Sequence, residues 1–123
     1  MDGRRQRLYE LKAQVLGAVS HPLRLAIVDC LAERQRCVCE IAEWVGAQRS
    51  NVSRHLAVLL GAGIVSCRKE GLNVIYSLRT PCLVQYLSCV TDVLRERLAE
   101  ETAALAARTP DEGNDRPGGA DTQ

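Results

Sequence analysis

With 123 residues the chain has room for one domain, and an apolar content of 46 % supplies an ordinary small core. Phe is absent and Trp occurs once, so that core is built from Leu, Val, Ala and Ile, a set that leans helical. The net charge of +1 excludes a uniformly basic or acidic protein, and no apolar run approaches the roughly 18 residues that span a membrane.

The charges are unevenly placed. From Gln48 to Arg79 five basic side chains face one acidic one, Glu70, whereas the segment from Arg108 to Gln123 is acidic. Fourteen of the 16 basic residues are Arg, whose forked guanidinium suits phosphates and guanine edges. MDGRRQRLYELK carries no apolar signal-peptide stretch behind its charges, which predicts a cytoplasmic protein. Six Cys in a reducing compartment are ligands, redox groups or small buried side chains rather than a disulfide framework. No CxxC pair is present.

Residues 4–19 repeat apolar side chains at helical spacing (Leu8, Leu11, Val15, Val19) and predict a first helix. Ser20–His21–Pro22 breaks it, and Pro22 opens a second helix to Glu33 with Leu23, Ile27, Cys30 and Leu31 inward. Glu33 to Arg36 reads as a polar loop. A third helix starts near Val38, burying Val38, Ile41, Ala42 and Val45, with Glu40 in the first turn where the helix dipole favours a carboxylate.

Gly46–Ala47–Gln48 is a tight break before a fourth helix, residues 49–60. Val52, Leu56, Leu59 and Leu60 form its predicted buried stripe, and Ser50, Asn51 and Arg54 point the opposite way. Ala57, Val58 and Gly61 continue that outer face, so the polar groups are confined to the N-terminal half, as in a helix that enters a major groove end-on. Gly61 and Gly63 stop the helix.

Residues 64–69 and 74–78 read as two strands joined by a turn at 70–73, a short hairpin with Arg68 and Lys69 near its tip. Thr80–Pro81 starts a last helix that runs to about Ala107, roughly 39 Å at 1.5 Å per residue. That is longer than so small a globule covers. Its apolar positions (Leu83, Leu87, Val90, Val93, Leu94, Leu98, Leu105) therefore imply packing against a partner chain, with the first helix helping. The predicted organisation is a DNA-binding and dimerisation domain over 1–107 and a disordered, Pro/Gly-rich acidic tail over 108–123.

The order of elements is mainly α with a small β-hairpin, a winged helix-turn-helix. LGAVSHPLRLAIVDCL, CVCEIAEWVG and SNVSRHLAVLLGAGIVSCRKEGLNVIYSL together resemble the ArsR/SmtB family of bacterial metal- and metalloid-responsive repressors, over about residues 8–94. The resemblance implies a homodimer, through the first and last helices, that represses its own operon and leaves double-stranded operator DNA when an inducer binds. By position it implies recognition-helix contacts from Gln48, Arg49, Ser50, Asn51, Ser53, Arg54 and His55, and wing contacts from Arg68, Lys69 and Asn73. Gln48 stands where the family often places a Ser N-cap, and Gln caps more weakly. His55, at the edge of the buried stripe, suits a structural hydrogen bond as well as a phosphate.

Two styles of metal site occur in the family. A zinc site on the last helix needs His and carboxylates there, and the two His of this chain, His21 and His55, lie elsewhere. The thiolate style uses a CVC run at the start of the third helix, which Cys37-Val38-Cys39 reproduces. Thiolates suit As(III), Sb(III), Cd(II), Pb(II) or Cu(I) over hard cations, and the first four are the inducers to expect. Inside a regular helix residues i and i+2 point about 200° apart, so sharing one ion requires Cys37 to lie outside the helix or the first turn to unwind. Pulling the sulfurs together would then strain the path to the recognition helix.

Ala42 stands where the arsenite type often has a third Cys, so a further ligand comes from Cys30, Cys82 or Cys89, or the site holds two sulfurs. Cys82 and Cys89 are about 10.5 Å apart along one helix and could meet only across a dimer of antiparallel last helices. Cys30 and Cys67 also read as small packing side chains. The sequence leaves two other readings open: a thiol redox or sulfur-species sensor of the same fold, and an effector-free DNA-binding module. No Gly-rich phosphate loop, nucleophile set or carboxylate pair suggests an enzyme.

Overall fold

A computed structural model of the chain describes residues 1–108. Residues 1–84 form one compact unit and a second begins at Gln85. Helix α1 covers Gly3–Ala18, with the Asp2 carboxylate accepting the Arg5 N–H at 2.9 Å as its N-cap. Helix α2 covers Pro22–Glu33, and the His21 Nδ1 accepts the Leu23 N–H at 3.1 Å. Pro22 sits at a position whose N–H has no helical partner in any case.

A two-residue strand, β1 (Arg36–Cys37), leads directly into α3 (Val38–Val45). Then come α4 (Arg49–Gly61), β2 (Val65–Glu70), β3 (Asn73–Leu78) and α5 (Pro81–Arg108). The strands form one antiparallel sheet in the order β1-β3-β2. Arg36 and Cys37 pair with Tyr76 and Ile75, and the β2–β3 hairpin runs in register from Val65↔Leu78 to Glu70↔Asn73. Gly71 has φ +64°, the left-handed conformation that its two-residue turn requires and that glycine adopts without strain.

The core gathers Ile27, Val28 and Cys30 of α2, Ile41 of α3, Val52, Leu56 and Leu59 of α4, and Ile64 and Val65 at the start of the hairpin. It clamps α4 between α2, α3 and the wing, so truncating Leu56 to Ala should cost about 2–5 kcal/mol.

Several expectations need correction. The segment 33–36 is not simply a polar loop. Arg36 is buried, donates from Nε to the Cys30 carbonyl at 3.3 Å and pairs through Nη2 with Glu33 at 2.8 Å. It thereby covers the end of α2, where carbonyls lack helical partners. Leu60 is exposed, one residue past the inward stripe, and Ile64 takes its place in the core. The exposure of Leu8 and Leu11 on α1 is compatible with the expected help of that helix at a partner chain, and Val19, just past its end, is buried. The disordered-tail expectation falls on 109–123, outside the described residues, and Arg108 closes α5 instead of opening the tail. Among the described residues no single helix is long and apolar enough to cross a membrane.

Candidate DNA interface and thiol site

The turn between α3 and α4 is built on Gly46, at φ +74°, whose N–H bonds the Ala42 carbonyl at 2.9 Å. Gln48 is the N-cap of α4 but makes no side-chain cap bond, as its residue type suggested. Arg49, Ser50, Ser53 and Arg54 are exposed, and Asn51 is partly buried. Asn51 Oδ1 accepts from Arg54 Nη2 at 2.8 Å, which holds the guanidinium over the outer face of α4. An open cleft lies between the α3 end and this face, lined by Ala42, Glu43, Gly46, Ser50, Asn51 and Arg54.

His55 takes the structural one of its two expected roles at Nδ1. Arg24 Nε donates to that nitrogen at 3.1 Å, and the His21 ring lies against it with centroids 4.3 Å apart. Arg24 also donates to the Ala18 carbonyl at 3.0 Å, so the cluster ties α4 to the α1–α2 junction. Burial pushes the His55 pKa below its ordinary value, and the electrostatic influence of His21, Arg24 and Arg54 on a protonated ring pushes the same way. An imidazole that accepts at Nδ1 is neutral with its proton on Nε2.

On the wing, Arg68 donates from Nε and Nη2 to Glu70 Oε2 at 3.3 and 2.9 Å. Such an exposed pair is worth at most about 1 kcal/mol. Lys69 and Asn73 are exposed beside it.

The two CVC thiols fall on different sides of a structural boundary. Cys37 is partly buried, extended at φ −84° and ψ 171°, and is at once the last residue of β1 and the N-cap of α3. Cys39 is exposed on the first turn of α3, and Arg49 Nη1 donates to its Sγ at 2.9 Å. Glu40 fixes the junction, since its Oε1 accepts the Cys37 N–H at 3.0 Å and its other oxygen lies 3.5 Å from Arg34. The Cys37 N–H, more than Arg34, holds the Glu40 carboxyl below its usual pKa.

The remaining cysteines are scattered. Cys30 is fully buried in the core, and burial raises its thiol pKa against the opposing charge of Arg36. Cys67 is exposed on β2 opposite Tyr76, not packed as its strand position suggested. Cys82 and Cys89 are exposed on α5. Among the described residues no group of three or more His, Cys, Asp or Glu side chains is placed to hold an ion.

Sequence reasoning missed Arg24 and β1. Arg24 meets His55 across 31 positions, for which no local signal exists. Arg36, also missed, left a trace in its i,i+3 spacing from Glu33.

Three helices around a tight turn, an exposed basic helix and a β-hairpin define a winged helix-turn-helix DNA-binding protein. Comparison with known proteins narrows this. Residues 21–66 match the family described as bacterial regulatory protein, arsR family. The chain is 38 % identical over 99 residues to the uncharacterized HTH-type transcriptional regulator Rv0081 of Mycobacterium tuberculosis, covering 80 % of this chain and 87 % of the relative. It is 36 % identical over 73 residues to the HTH-type transcriptional repressor SmtB of the same species, covering 59 % of this chain and 54 % of that one. Among solved structures it is similar to the homodimeric winged helix-turn-helix domain of Mb0332 from Mycobacterium bovis, with a TM-score of 0.69 and 29 % identity over 81 % of this chain and 93 % of that one. NolR from Sinorhizobium fredii superposes with a TM-score of 0.67 and 27 % identity, covering 76 % and 93 %. The chain belongs to the ArsR/SmtB family and is a DNA-binding transcriptional regulator.

Proposed function

We propose that the protein is a cytoplasmic, homodimeric repressor that releases operator DNA when Cys37 and Cys39 bind a soft metal or metalloid ion. One observation carries the reading: the two cysteines are joined to different elements of the winged helix, Cys37 through its backbone and Cys39 through its sulfur. Cys37 pairs with β3 of the wing, and Cys39 is hydrogen-bonded to the first residue of α4. Gln48, Arg49, Ser50, Asn51, Ser53 and Arg54 are the proposed recognition contacts, with Arg68, Lys69 and Asn73 on the wing.

Because Cys37 is extended and outside α3, the i,i+2 opposition of a regular helix does not apply to the pair, and the two sulfurs suit a soft ion. As(III), Sb(III), Cd(II) and Pb(II) are the ions proposed. Drawing the sulfurs together loads the β1–β3 pairing and the α3–α4 turn at once. A third donor comes from outside this pair, with Cys82 or Cys89 of a second copy the exposed candidates. Cys30 supplies one only by leaving the core, which its burial opposes.

The test is a fluorescence-anisotropy titration of a duplex carrying the region upstream of the protein's own coding sequence. Reduced protein is titrated with and without arsenite, antimonite, Cd(II), Pb(II), Zn(II) and a mild oxidant. Release by a thiophilic ion that is abolished in Cys37→Ser and Cys39→Ser supports the reading. Release by the oxidant alone replaces it with a thiol redox sensor, and unchanged release in both variants moves the site elsewhere.

A further inference from the structure

We propose that Cys39 is a positioning residue for Arg49: its sulfur holds the guanidinium where the first turn of the recognition helix meets the DNA backbone. Arg49 is the first residue of α4 and is exposed, as is Cys39. The two are ten positions apart, and the turn built on Gly46 brings Nη1 to 2.9 Å from Sγ. A free Arg side chain gives up substantial rotamer freedom, up to about 2 kcal/mol, when DNA fixes it. A side chain already resting on an acceptor has lost part of that freedom. Arg has five N–H donors, so the bond from Nη1 leaves the rest of the fork for phosphate.

The inference rests on the thiol-sensor reading and gives that site a route to the reader. An ion that replaces the Cys39 thiol proton and draws the sulfur toward Cys37 moves the acceptor on which Arg49 rests, and Arg49 loses its position. Cys37 feeds the other element. Its pairing partner Ile75 also pairs with Arg68 of β2, so Cys37, Ile75 and Arg68 form one row across the sheet. Arg49 of α4 and Arg68 of the wing are thus the basic residues of the reading elements to which the two cysteines connect.

The test is a double-mutant cycle without any inducer, using a mixed-sequence duplex at low salt and the dimeric protein. Cys39→Ala should weaken binding about 2- to 5-fold, the range of an exposed polar pair. Cys39→Ser, whose hydroxyl also accepts, should recover most of the loss. In an Arg49→Ala background Cys39→Ala should be silent, and Arg49→Ala alone, which removes one phosphate contact from each chain of the dimer, should lower the salt slope by about 2. Melting temperatures should stay unchanged, because both side chains are exposed. Equal weakening by Cys39→Ala in both backgrounds, no weakening at all, or failure of Cys39→Ser to rescue overturns the proposal. Additivity in the cycle with inducer release intact sinks this inference and leaves the thiol sensor standing. Coupling in the cycle with no responsive inducer does the reverse.

Discussion

Arg54 shows what a single residue contributes here. It lies on the face opposite Val52 and Leu56, both fully buried, and Asn51 braces it at 2.8 Å. Removing it should leave the fold intact and cost about 1–3 kcal/mol of binding, as loss of a base-edge Arg does. Anisotropy titration of Arg54→Ala measures this, and unchanged affinity would contradict the outward-face assignment. His55, one residue on, should act on stability. Its folded pKa lies below the ordinary histidine value, about 6.5. The unfolded chain therefore binds more protons between the two values, and stability rises with pH across that window. The contribution is fully present above about 6.5 and is lost as pH falls through the folded pKa. Urea midpoints should drop on acidification in the wild type and drop less in His55→Gln. Identical slopes would remove the Arg24–His55–His21 cluster as the cause.

At the scale of elements, the turn between α3 and α4 turns on Gly46. A Cβ there meets nothing within 4 Å, so Gly46→Ala pays only for a left-handed φ of +74°. That strain is about 1–2 kcal/mol, and Gly46→Asn should cost less because Asn tolerates the conformation. Thermal melts of the two variants decide it, and a neutral Gly46→Ala would mean the turn relaxes. Helices α2, α3 and α4 were legible because their apolar residues recur at helical spacing between Pro22, Gly46 and Gly63. The hairpin was legible from two strand-like runs, 64–69 and 74–78, on either side of a turn that holds Gly71. Strand β1 was not, since two residues carry no periodicity and its partner lies near Ile75, nearly forty positions on. The thiol site was legible as a CVC pair. Its connections were not, because the Cys37–Ile75 pairing and the Cys39–Arg49 bond exist only once the hairpin and turn have formed.

At the scale of the whole molecule the question is what covers the apolar residues left in water. In α1, Leu8, Leu11 and Leu16 are 42–51 % exposed. In α5, Val90, Leu94 and Leu98 recur every fourth residue, and Leu98 is 62 % exposed. Such a stripe on a 28-residue helix marks an interface more readily than solvent-facing decoration. In the proposed homodimer each position appears twice, once per chain. A Leu returned to water forfeits about 1.5–3 kcal/mol, so Leu98→Glu should raise the dimer dissociation constant on the order of a hundredfold or more. Sedimentation equilibrium should show monomer at concentrations where the wild type and Leu98→Met remain dimeric. DNA affinity should fall with it, because one winged helix reaches one half-site and the paired reader needs two. Leu11→Glu asks the same of α1. If Leu98→Glu stays dimeric while Leu11→Glu does not, the interface belongs to α1 alone, and the exposed Cys82 and Cys89 lose the symmetric contact that would make them ligands.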